Sequence, residues 1–134
     1  MKKIIASGAV IVENNKLLVT MDNKDPFYKI PGGKWKVGES LEECAIRKLK
    51  QETGFSCYLM DNLPTLKIDK DPKTNESADI ELYHYSAKLK DSIKNYNSFH
   101  YNGHIVSWLD ILDINNKYPI APNIKFLIEK RAIK

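Results

Sequence analysis

Cysteine is scarce in this 134-residue chain. Cys44 and Cys57 have neither CxxC spacing nor a nearby histidine pair, which argues against zinc and dithiol chemistry and leaves both as small buried apolar residues of a cytoplasmic protein. Long apolar runs are lacking too. The longest uncharged stretch near the start, Ile4 to Val12, is too short to span a bilayer, and it ends at Glu13-Asn14-Asn15-Lys16, a turn rather than a small-residue cleavage site. Neither a membrane span nor a secretory leader is expected. No arginine-rich tract or recognisable nucleic-acid-binding motif occurs, and the net charge of +4 comes from lysines spread along the chain. Such an excess favours polyanionic ligands without selecting nucleic acid. Repeats and low-complexity linkers are missing, so the expectation is one domain over residues 1–134, with 43% apolar content enough for one modest core.

What is present reads mostly as strands. Ile4 to Val12 and Lys16 to Met21 are apolar or β-branched runs joined by Glu13-Asn14-Asn15, which suits a hairpin turn. Phe27 to Ile30 reads as extended, and Pro31-Gly32-Gly33 stops it and starts a flexible loop. Phe55 to Met60, Leu63 to Ile68, Asp79 to Leu89 and Ile105 to Leu109 are further strands, with a turn over residues 71–76. Lys90 to Asn102 reads as a surface loop or weak helix, and Asp110-Ile111-Leu112 as the beginning of a helical turn. Pro122 starts a terminal helix through about Lys130.

The central helix carries the clearest local signals. Ser40-Leu41-Glu42-Glu43 is a capping box, and Gly54 supplies a left-handed stop after Thr53, which sets the helix at residues 41–53. Leu41, Cys44, Ala45 and Leu49 form its apolar stripe. At about 100° per residue, Lys48 and Glu52 share a face one turn apart, close to that stripe. A glycine loop feeding such a capped helix offers backbone N–H groups and a positive helix end to an anion. On composition alone the pair is equally an ion pair closing the stripe, worth a few tenths of a kcal/mol if exposed.

The spacing adds to this. The segment resembles the Nudix box, G-x5-E-x7-R-E-U-x-E-E-x-G-U with U a bulky apolar residue. Gly33, Glu39, Arg47, Leu49, Glu52, Gly54 and Phe55 match in register, and Ile30-Pro31-Gly32-Gly33-Lys34 resembles the usual lead-in. The departures are Lys48 and Gln51, each standing where the family has a glutamate. The resemblance implies an α/β fold, the Nudix α/β/α sandwich with a mixed curved sheet, one central and one C-terminal helix. It further implies cleavage of the pyrophosphate bond of a nucleoside diphosphate linked to another moiety, with Mg²⁺ or Mn²⁺ as cofactor and a small-molecule nucleotide as partner. Family members often dimerise, so a homodimer is compatible with it.

Of the family's metal-holding helix carboxylates only Glu52 remains. Lys48 cannot donate a lone pair while protonated and Gln51 offers a neutral carbonyl, so metal dependence is expected to be weak or atypical. By resemblance Glu39 and Arg47, with Gly54, keep a structural role in which the arginine–carboxylate bond pins the loop to the helix. Glu52, Lys48 and Gln51 are the catalytic candidates, with Glu52 the metal ligand; Gly32, Gly33, Lys34 and Tyr28 are the substrate-binding candidates. Three explanations fit. Glu52 joins acids from elsewhere, such as Asp79 or Glu81, in a site completed by substrate phosphates; Lys48 takes a cation's position; or the scaffold holds a nucleotide without cleaving it, as a regulatory module. An RNA 5′-end pyrophosphohydrolase is a weaker alternative. His100 and His104 are candidates for activating water, Trp35 and Phe27 for stacking on a base, and His84 reads as a strand residue.

Overall fold

Asn14 and Asn15, at φ 49° and 62°, turn the chain tightly from β1 (Lys2–Glu13) into β2 (Lys16–Met21). Positive φ at both turn residues matches the right-handed twist of the flanking strands, and asparagine tolerates it better than most. The computed structural model describes residues 2–133. In chain order β3 (Gly32–Lys34), α1 (Leu41–Thr53), β4 (Cys57–Lys70), β5 (Ser77–Leu89), β6 (Phe99–Tyr101), β7 (His104–Asp110), α2 (Ile114–Lys117) and α3 (Pro122–Glu129) follow.

The sheet runs β4-β5-β1-β2-β7-β6, with β3 attached to β1 off this path. It is mixed: β1 and β5 are parallel from Lys2↔Ala78 to Ile11↔Ala87, and the other strand pairs are antiparallel. On its opposite edge β1 pairs first with β3, through Ala6, Ser7 and Gly8, and then with β2, through Val12 and Glu13. Changing partners along one strand lets the sheet open and curve between β3 and β2.

Period-two alternation explains the layers. Ala9, Ile11, Leu18, Val106 and Trp108 pack with Ala45 and Leu49 of α1 in one core. Their neighbours Val10, Leu17, Val19 and Leu109 pack on the other face with Ile124 and Leu127 of α3. Both faces are covered, which gives the α/β/α sandwich. Cys44 and Cys57 are buried and free.

Several boundaries differ from the sequence reading. Residues 27–30 form no strand and make only the bridges Thr20↔Lys29 and Tyr28↔Ile120. Gly32 and Gly33, read as loop, belong to β3. A Cβ on Gly32 would lie 2.6 Å from the Ser7 carbonyl oxygen and 2.8 Å from Gly8 Cα, so the glycine marks a close backbone approach rather than a break. Residues 57–70 are one strand, because register shifts between Leu59 and Asn62 and between Leu63 and Leu66 absorb the polar and proline positions. The stretch read as loop or weak helix ends in β6, and Asn102 and Gly103, at φ 49° and 82°, turn it into β7. The helical turn expected from residue 110 is α2, beginning at Ile114.

Candidate functional site

The loop entering α1 is held from both sides. Ser40 Oγ accepts the Glu43 N–H at 3.0 Å, and Glu43 accepts the Ser40 N–H at 2.8 Å, the capping box anticipated from sequence. Arg47 donates from Nε and Nη2 to the two Glu39 oxygens at 2.8 and 2.9 Å, and Nη2 also reaches the Lys34 carbonyl at 3.1 Å. Glu39 further accepts the Lys36 N–H, while its own carbonyl accepts Trp35 Nε1–H at 2.6 Å. Trp35 is therefore tied into the loop. The Arg47 hydrogen bonds drive the Glu39 carboxyl down to about 2.

One turn on, Glu52 is only 7% exposed. Its Oε1 accepts the Gly32 N–H at 3.2 Å, and its Oε2 lies 3.4 Å from Lys48 Nζ. Burial pushes its carboxyl up, and the charges of Lys48 and His104 together with the Gly32 N–H pull it partly back. Lys48 Nζ also donates to Gln51 Oε1 at 3.4 Å, an oxygen that Arg47 Nη1 approaches at the same distance. The lysine stem crosses Gly33 so closely that a Cβ there would meet Lys48 Cε at 2.4 Å. Tyr101 and Asn102 of the β6–β7 hairpin close the far end of α1. Tyr101 packs on Gly54, whose φ of 81° makes the helix stop, and Asn102 Nδ2 donates to the Gln51 carbonyl at 2.9 Å.

Gly32, Gly33 and Lys34 also line a pocket of about 480 Å³. Ile4, Ala6, Ile80 and Leu82 form an apolar wall, and Phe27 and Tyr83 add aromatic surface. On the same wall His84, 2% exposed, pairs Nδ1 with the Pro64 carbonyl at 3.0 Å and Nε2 with Asn123 Nδ2 at 3.2 Å. A carbonyl can only accept, so Nδ1 carries the proton and Nε2 accepts from Asn123. Burial lowers the His84 pKa, keeping the ring neutral. Near the rim, Asp25 bonds to Lys29 and lies 3.2 Å from Lys73, which ties residues 22–30 to the β4–β5 turn. Burial opposes ionisation of Asp25, yet these two lysines hold its carboxyl below the ordinary range.

Among the sequence-nominated residues, Glu52, Lys48, Gln51, Gly32, Gly33 and Lys34 come together, with His104 close enough to act on Glu52. Tyr28 does not join them: its ring packs edge-on against Tyr118 at 6.0 Å, and its neighbour Phe27 lines the pocket instead. His100 is exposed on β6. Asp79 is 3.9 Å from Lys3, and Glu81 accepts the Tyr83 hydroxyl at 2.7 Å. Sequence reasoning missed Asn123 and the Asp25–Lys29–Lys73 link. The alternation Ile80, Leu82, His84 carried a signal for His84, since it sets the histidine on an apolar face where it needs polar partners.

Hard divalent cations seek several anionic oxygens. Among the described residues no group of three or more His, Cys, Asp and Glu is gathered to hold one. Of the three carboxylates of α1, Glu43 closes the capping box, Glu42 accepts the Tyr85 hydroxyl and Glu52 is engaged by Gly32 and Lys48, so this donor set does not fit Mg²⁺ or Mn²⁺ well. No helix among the described residues is long and apolar enough to cross a membrane.

The family model for the NUDIX domain matches residues 2–129. The chain is 36% identical over 54 residues to the ADP-ribose pyrophosphatase of Methanocaldococcus jannaschii, covering 38% of this chain and 32% of that protein. It is 36% identical over 61 residues to the 8-oxo-dGTP diphosphatase of Escherichia coli, covering 42% of this chain and 47% of that protein. The chain thus spans less than half the length of either curated relative. Among solved structures, the MutT protein of Methanosarcina mazei Go1 superposes with a TM-score of 0.75 at 19% identity, over 96% of this chain and 92% of that one. A NUDIX hydrolase of Nitrosomonas europaea superposes with a TM-score of 0.74 at 18% identity, over 98% and 89%.

Proposed function

Because the chain belongs to the NUDIX family, we propose that it is, over its whole length, one Nudix domain that hydrolyses the diphosphate linkage of a nucleoside diphosphate joined to another group, in a cytoplasmic setting. The observation that carries this reading is the sharing of β3: Gly32, Gly33 and Lys34 line the pocket, and all three touch side chains of α1 that bear the box, Glu52, Lys48 and Arg47 in turn. A nucleoside in the pocket, between its apolar wall and Phe27, would direct its phosphates toward this strand. The names of the curated relatives, an ADP-ribose pyrophosphatase and an 8-oxo-dGTP diphosphatase, support the bond type.

Nudix hydrolases generally use divalent cations, and the donor set here supports no step assigned to one. The chain's own groups divide the work differently. Lys34 and Lys48 offer charge to the phosphates, and Glu52, a buried carboxylate with a raised pKa, suits acceptance of a proton from an attacking water. The water oxygen bonds to phosphorus, the bridging P–O bond breaks, and the leaving phosphate oxygen departs as the anion. A product assay on ADP-ribose, dinucleotides and nucleoside triphosphates, with Mg²⁺, with Mn²⁺ and with neither, tests this. A nucleoside monophosphate should form, and Glu52→Gln should abolish it.

The depleted carboxylate set favours a second reading, a nucleotide-binding or regulatory module without turnover. Product appearing only in the double variant Lys48→Glu, Gln51→Glu would select it.

A further inference from the structure

The helix position where the family has a carboxylate carries an ammonium, and its surroundings suit an anion. Lys48 Nζ has three donors. Its contacts to Glu52 Oε2 and Gln51 Oε1 are both 3.4 Å, long for an N–H···O bond. The contact to the neutral Gln51 carbonyl is readily exchanged for a better acceptor, and the ammonium has donors to spare while it stays beside Glu52. The stem is fixed by its passage over Gly33, where the missing side chain leaves room for it, and Gly33 also lines the pocket. The side chain is 20% exposed, so it is not sealed off from solvent. Its charge balances Glu52, while Gln51 adds none. A phosphate therefore meets a locally neutral helix face rather than the carboxylate cluster that a metal would have to neutralise.

We propose that Lys48 is a resident cation for the ligand's diphosphate, taking the place of a divalent ion and making diphosphate binding independent of Mg²⁺ and Mn²⁺. This rests on the diphosphate reading of the site given above. Glu52 and Gln51 act as positioning residues that hold the ammonium toward Gly33, and a phosphate oxygen takes the place of the Gln51 carbonyl while the ion pair with Glu52 is kept.

The test titrates methylenediphosphonate, a diphosphate analogue whose CH2 bridge cannot be hydrolysed, into the full chain in excess EDTA and again in Mg²⁺, followed by phosphorus NMR. Wild type should bind equally well in both. In EDTA Lys48→Met, which keeps most of the stem, should lose about tenfold in affinity, and Lys48→Arg should retain it. Thermal melts establish that each variant is folded. Binding by wild type only in Mg²⁺, equal binding by wild type and Lys48→Met in EDTA, or no binding in either buffer overturns the proposal. Metal-free binding that needs Lys48, with no nucleotide product in the assay above, upholds it while removing the hydrolase reading.

Discussion

Arg47 holds Glu39 through two parallel hydrogen bonds, 2.8 and 2.9 Å long, joining the middle of α1 to the loop that leads into it. The geometry is the fork-on-fork match of guanidinium and carboxylate, which a lysine cannot reproduce. Arg47→Lys should therefore loosen residues 34–39 while leaving α1 formed. Faster amide exchange at Lys36, whose N–H is bonded to Glu39, is the expected readout.

The same carboxyl makes stability depend on pH. Its pKa falls from an ordinary 4.5 to about 2 on folding, so the unfolded chain binds more protons between those values. The contribution is whole above about 4.5 and is lost as pH falls toward 2. Glu39→Gln should reduce the dependence of the melting temperature on pH across that window, leaving the part that Asp22 and Asp25, also held low, contribute.

His84 gives a second window at higher pH. Burial lowers its pKa below the ordinary 6.5, so the unfolded state protonates first and stability declines as pH falls below 6.5. Substituting His84→Gln should remove that decline. Asn123→Ala strips the donor from Nε2 and should cost about 1 kcal/mol at neutral pH, read from urea unfolding.

Glu52 and Lys48 should couple in a double-mutant cycle. Lys48→Met leaves a buried carboxylate with the Gly32 N–H as its hydrogen-bond donor and should destabilise by about 1–3 kcal/mol. Adding Glu52→Gln removes the stranded charge while keeping an oxygen for Gly32. The double variant should be more stable than the sum of the single effects.

Gly32→Ala would force a methyl against two backbone atoms of β1, neither of which can turn aside. Loss of about 1–3 kcal/mol is expected. Because Gly32 N–H also fixes Glu52, activity should fall further than stability, measured as turnover below the midpoint of unfolding.

Features set by neighbouring residues were legible in the sequence. Ser40, Glu43 and Gly54 define the thirteen-residue α1 from within or directly beside it, and the structure gives Leu41–Thr53 as read. The spacing of Gly33, Glu39, Arg47 and Glu52 likewise carried the family. Contacts between distant residues were not legible. Gly32 and Gly33 look like a break until β1 is laid beside them. His84 and Asn123 meet only because β5 and the start of α3 are brought together. Phe27 and Tyr28 could not be told apart because residues 27–30 follow no strand alternation that would assign them faces. The Asn102-Gly103 turn was the exception, a local signal passed over in a polar stretch.

The parallel ladder between β1 and β5 also bears on how the molecule is made. Its partners, from Lys2↔Ala78 onward, are separated by most of the intervening chain, and closing so large a loop costs entropy before any contact returns it. The β1–β2 hairpin and α1 are local and need no such closure. The wall carrying Ile80, Leu82 and His84 arrives only with that ladder. A nascent chain can thus hold a capped helix and its glycine strand while still lacking a pocket, and competence to bind waits on a long-range step of folding.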